Sequence, residues 1–179
     1  QRQMCIRDRS HNHPEAIKGA QAVAASIFIA LHWTGEIDEL KVHIRDFVTN
    51  QFEYNMNRTL NEIRPRYEFD VSCQGSVPDA IIAFLEADSY EDAIRNAVSL
   101  GGDADTQGAI AGAIAACVYP ISEYIIKECQ RRLSDDLLKV VIRFEDYLDN
   151  EWQNKISLPC SCLQPKRETV EPEKYVDII

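Results

Sequence analysis

Basic residues are in short supply in this 179-residue chain: 19 Lys and Arg stand against 29 Asp and Glu, for a net charge of −10. A nucleic-acid surface or an anionic-membrane docking face needs a basic patch, so both are excluded as functions. Long apolar runs are missing as well. The Ala109 to Tyr119 run is too short to span a bilayer and reads as a buried helix. The six cysteines are scattered at positions 5, 73, 117, 129, 160 and 162. Only Cys160 and Cys162 lie close together, and neither a second pair nor a nearby histidine completes a zinc site. Reduced thiols in a cytoplasmic protein are the resulting expectation. No internal repeat is present.

What remains is helical. Pro14 suits a first helical position with Asn12 or His13 as its cap, and Ile17, Ala20, Ala24, Ile27, Phe28 and Leu31 follow at helical spacing. Gly19 inside that helix marks close packing, since it costs about 1 kcal/mol relative to Ala. Thr34-Gly35 ends it. Ile37, Leu40, Ile44 and Phe47 give a second helix, and Met56 to Ile63 a short third that stops before Pro65. Arg66 to Gly75 is the one extended or looped stretch. Ser76 is expected to cap a helix through Leu85, and Ser89 another through Ser99, with the acidic Glu86 to Asp92 stretch a solvated helix end. Helices over Ser122 to Arg132 and Leu137 to Leu148 complete the pattern, the last with Leu137, Val140, Val141, Phe144 and Leu148 facing inward. The fold class is all-α. Residues 1–9, QRQMCIRDR, carry no helical or strand period and look like a translated sequencing adaptor, so they are left out of the fold. The expected domain is 10–150, with 151–179 a loosely attached tail.

The chemistry concentrates in SLGGDADTQGAIAGAIAACVYP, Ser99 to Pro120. An EF-hand loop begun at Asp103 would need a glutamate at its twelfth position, which is Ile114, and a P-loop would need a lysine that is absent. The surviving pattern is a helix whose first turn carries hard oxygen donors. Gly101 and Gly102 allow a tight turn. Asp103 then caps the helix, with Asp105 and Thr106 in its first turn. Ala109, Gly112, Ala113 and Cys117 form a small-residue stripe for packing, so this helix is expected to be the most buried. An N-cap role accounts for one aspartate but not for the second, the threonine and the double glycine. Carboxylate and hydroxyl oxygens together suit Mg²⁺ or a similar hard cation.

Two further places are candidates. SHNHP, Ser10 to Pro14, sets His11 and His13 at a helix start, where they serve either a ligand anion or simple capping. VSCQGS, Val71 to Ser76, either wraps a ligand or is a plain turn. His32 and His43 lie within helical patterns and read as ordinary side chains.

Together SHNHPEAIKGA, YEFDVSCQGSVPDAIIAFLEA and EDAIRNAVSLGGDADTQGAIAGAIAA resemble the ADP-ribosylglycohydrolase family from Ser10 to about Leu148. The resemblance implies an orthogonal helical bundle with two Mg²⁺ or Mn²⁺ ions in a cleft, removing ADP-ribose from a modified protein or a small ADP-ribose derivative. By it, Asp103, Asp105 and Thr106 are metal ligands, and His11 lines the ADP-ribose cleft with His13 as second candidate. Ser72 and Gln74 fall on the adenosine side. The family's Ser/Thr-Asp-Asp triple and its acid/base glutamate belong to an N-terminal half and have no counterpart here. Ser134-Asp135-Asp136 comes too late in the chain and reads as a helix cap. An N-terminally truncated enzyme is therefore expected, with its acid/base unassigned and its metal set incomplete. The alternative is a catalytically silent structural or ADP-ribose-binding relative, against which the intact Asp103, Asp105 and Thr106 argue.

Overall fold

The computed structural model describes residues 12–148. The expected leading segment 1–9, His11 and the tail from 151 lie outside the described residues. No strand occurs among the described residues, and the all-α class holds. Two compact units divide between Pro120 and Ile121.

In the first unit, α1 (Pro14–His32) and α2 (Ile37–Phe52) pack as neighbours. α3 (Leu60–Ile63) runs into a 3₁₀ turn, Arg64–Arg66. Then come α4 (Cys73–Leu85), α5 (Tyr90–Ser99) and α6 (Ala104–Ala115), which pack on one another. His13 is the N-cap of α1, with Nδ1 accepting from the Glu15 N–H at 3.2 Å. Gly19 packs where α1 meets α4, as its sequence position implied: a Cβ there would stand 3.0 Å from Cys73 Cβ.

Four expectations are corrected. The third helix begins at Leu60, not Met56, because the Thr59 N–H and hydroxyl both donate to the Glu62 carboxylate, at 2.8 and 3.0 Å, and start it there. The helix expected from Ser76 begins at Cys73, capped by Ser72, whose Oγ accepts from the Gly75 N–H at 3.2 Å. Pro78, which looks like a first-turn proline, therefore lies inside α4 and leaves the Gln74 carbonyl without its helical donor. The most buried helix is α4, in which every residue from Ser76 to Leu85 is buried. A helix apolar on nearly all sides belongs at the centre. α6 buries only one face, Gln107, Gly108, Ala111, Gly112, Ile114 and Ala115, while Ala109 and Ala113 are exposed. Alanine fits either environment, so the small-residue stripe did not mark the packed side.

The second unit contains α7 (Glu123–Arg132) and α8 (Asp135–Tyr147). Ser122 caps α7 and Ser134 stands at the N-cap of α8, as its spacing implied. The fourth correction falls here. Leu137, Val140, Val141 and Phe144 are exposed rather than inward, Phe144 by 57%. Their helical period is real, yet no described residue covers that face.

Candidate functional site

Gly101 and Gly102 take left-handed φ values of 82° and 61°, which L side chains adopt only under strain. The chain so turned delivers Asp103 to the N-cap position of α6. Its backbone carbonyl accepts the first helical bond, from the Gln107 N–H at 3.1 Å, but its side chain makes no capping hydrogen bond. Ordinary capping would have spent that carboxylate on a first-turn N–H. The neighbouring Asp103 side chain, followed by the Thr106 N–H donating at 3.0 Å, holds the Asp105 carboxyl below its usual range. Asp105 and Thr106 are exposed and Asp103 is half-buried.

Tyr67 and Gln107 were not legible as site residues. The Tyr67 ring lies on Gly102, so that a Cβ there would be 2.6 Å from Cε1. Its hydroxyl accepts from Gln107 Nε2 at 2.6 Å. Burial first, then the charges of Asp79 and Asp70, pushes the Tyr67 hydroxyl above its usual range. Gln107 is 0% exposed, and its Oε1 has no hydrogen-bond partner among the described residues. No sequence signal set either apart, because a glutamine in an alanine-rich helix reads as its solvent side.

Tyr67 also lines a cleft of about 800 Å³, with Asn57, Arg58, Asn61, Gln74 and Asp79 on its wall. Asp79 is 4% exposed and ion-paired to Arg58. Burial raises its carboxyl above the usual range against the pull of Arg58. Gln74 is exposed on this wall, whereas the Ser72 oxygen is engaged as the α4 cap and the Ser72 N–H donates to Asp70 at 2.7 Å. Tyr67 thus touches the start of α6 through Gly102 and Gln107 and shares the cleft wall with Gln74 of α4. The first turns of α1 approach α4 through Gly19 and Cys73. His13 is exposed, and its hydrogen bond stays within its own helix.

Asp103, Asp105 and Thr106 fit part of the shell of a hard divalent cation by donor type: two carboxylates and a hydroxyl on adjacent positions. Among the described residues no group of three or more His, Cys, Asp or Glu is arranged to hold a metal ion. No described helix is long and apolar enough to cross a membrane.

The all-α fold agrees with what the comparison finds. The ADP-ribosylglycohydrolase family profile matches residues 7–155, and the chain belongs to that family. It is also similar to the ADP-ribosylarginine hydrolase Tri1 of Pseudomonas putida (strain GB-1), at 26% identity over 113 residues. That match covers 63% of this chain and 30% of the relative, so the chain spans less than a third of the relative's length. No solved structure matches it significantly.

Proposed function

We propose that this chain contributes the Asp-x-Asp-Thr part of a hydrolase that cleaves the glycosidic bond between ADP-ribose and a modified protein or small acceptor. The observation that carries the reading is the Asp103 carboxyl group, placed at an N-cap yet making no capping hydrogen bond, directly before the first-turn Asp105 and Thr106. A helix start built only for stability would use that carboxylate as its cap. The family membership supports the reaction class, and the relative's name makes arginine-linked ADP-ribose the first substrate to try.

In the reaction, water adds to the anomeric carbon as the bond to the acceptor breaks, and the acceptor leaves with a proton. The route passes through an oxocarbenium-like state. Asp103, Asp105 and Thr106 would hold Mg²⁺ or Mn²⁺. Bound there, such ions supply Lewis-acid charge that fixes the ribose hydroxyls and lowers the pKa of the attacking water. Tyr67 and Gln74 line the adjoining cleft, and Ser72, as the α4 cap, and Gln74 are proposed for the adenosine side. His11 and His13 are proposed as contacts to the ADP-ribose, His13 from the N-cap of α1.

The reading is tested with the full gene product, assaying release of ADP-ribose from ADP-ribosylated arginine with Mn²⁺ present. Activity that Asp105→Asn abolishes is the expected result. Activity that survives Asp105→Asn and Asp103→Asn would overturn it. The 179-residue chain by itself should bind Mn²⁺ only weakly, because three oxygens fill part of one octahedral shell and Mg²⁺-like ions shed water reluctantly.

A further inference from the structure

Four residues close a ring around the Gly-Gly turn. Gly102 and Asp103 are consecutive. The Asp103 carbonyl accepts from the Gln107 N–H at 3.1 Å, Gln107 Nε2 donates to the Tyr67 hydroxyl at 2.6 Å, and the Tyr67 ring returns to lie on Gly102. We propose that Tyr67 and Gln107 are positioning residues, which hold the turn and thereby set the Asp103 and Asp105 carboxylates in the arrangement that takes a divalent cation. This rests on the metal reading above and goes beyond it by naming the residues that act through the ligands.

Gln107 costs the fold stability where it stands. It occupies a fully buried position on the packed face of α6, among alanine, glycine and isoleucine. An apolar side chain would serve packing better there. The amide instead leaves its Oε1 without a partner among the described residues, and an orphaned buried carbonyl opposes folding. What the amide gains is a single bond to a residue 40 positions earlier, which no core role requires. Tyr67 is likewise not free to serve packing alone. Its ring fills the space beside Gly102 that any side chain there would need, and it also lines the cleft. The left-handed turn is therefore held by the ring at Gly102 and by the helix that follows it. The two are joined by one hydrogen bond.

The test measures Mn²⁺ affinity by calorimetry and the thermal midpoint side by side, in the full gene product and in Tyr67→Phe, Gln107→Met, their double variant, Asp105→Asn and Ile44→Val. Tyr67→Phe keeps the ring and loses only the hydroxyl. Gln107→Met keeps the shape and removes the orphaned carbonyl, so its midpoint should not fall. Each single variant should still weaken Mn²⁺ binding about tenfold, the scale of an outer-shell loss. The double variant should be no weaker than the worse single one, since both break the same bond. Ile44→Val, in the core of α2, should lower the midpoint and leave Mn²⁺ affinity unchanged. Unchanged affinity in both single variants, with binding lost in Asp105→Asn, overturns the positioning role alone. An equal loss in Ile44→Val also overturns it, because the effect would then be one of stability. Binding that persists in Asp105→Asn refutes the metal reading first, and the inference falls with it.

Discussion

The ring of Tyr67 rests against Gly102 so closely that a Cβ on that glycine would stand 2.6 Å from Cε1, inside any real contact distance. Its neighbour Gly101 has the same left-handed backbone, at φ 82°, but a Cβ there meets nothing within 4 Å. The two glycines separate backbone strain from contact. Gly101→Ala should cost about 1–2 kcal/mol, the strain of a left-handed alanine. Gly102→Ala should cost about 2–4 kcal/mol, because it must also displace Tyr67. Denaturant unfolding of the two variants checks the difference, and equal losses would mean that the ring yields freely.

Facing decides the alanines of α6. Ala111 is 0% exposed and Ala113 is exposed. Ala111→Leu should overpack the contact with its neighbours and cost about 1–3 kcal/mol. Ala113→Leu should stay within about 0.5 kcal/mol of the parent. Thermal melts of both variants measure this.

Tyr54 is 5% exposed, its hydroxyl has no hydrogen-bond partner among the described residues, and Lys18 Nζ lies 4.8 Å from the centre of its ring. Burial first, then Glu15 and Cys73, raises the hydroxyl from 10.0 to about 12. The fold therefore favours the neutral phenol. That contribution is complete below the unfolded value near pH 10 and is lost as pH rises from 10 through about 12. Tyr54→Phe should be neutral or slightly stabilising at pH 7, and should unfold at higher pH than the parent. Melting curves from pH 8 to 12 give both results.

Arg58 and Asp79 form the ion pair at the cleft wall. The Asp79 carboxyl sits above its ordinary value because burial outweighs Arg58. A raised carboxyl favours the folded state while protonated, and that advantage is lost as pH rises through the folded value. Arg58→Met removes the opposing charge and raises Asp79 further, so its penalty should grow with pH. A loss of about 1–3 kcal/mol at pH 8 is expected, below that of a fully buried pair because Arg58 is 37% exposed. The loss should be smaller at pH 5. Stability curves at the two pH values decide it, and a penalty that shrinks on going to pH 8 would contradict the charge assignment.

Local patterns determined which segments are helical and which helix start gathers hard oxygen donors. Pro14, Ser89, Ser122 and Ser134 mark real helix starts, and the strand-free class follows from the 3.6-residue period alone. The turn at Gly101 and Gly102 and the grouping of Asp103, Asp105 and Thr106 were equally plain, because a tight turn and a shared helix turn are properties of neighbouring residues. The start of α4 was not, since Ser76 suited a later cap and only the bonds of Ser72 and Asp70 revealed the earlier one. Which face of α6 is buried was also decided by the tertiary structure, because alanine and glycine carry too little apolar area to state a side. The same holds for Tyr67 and Gln107. They stand 40 residues apart, and their bond exists only because the packed helices bring a loop tyrosine onto Gly102, directly before the helix that holds the glutamine.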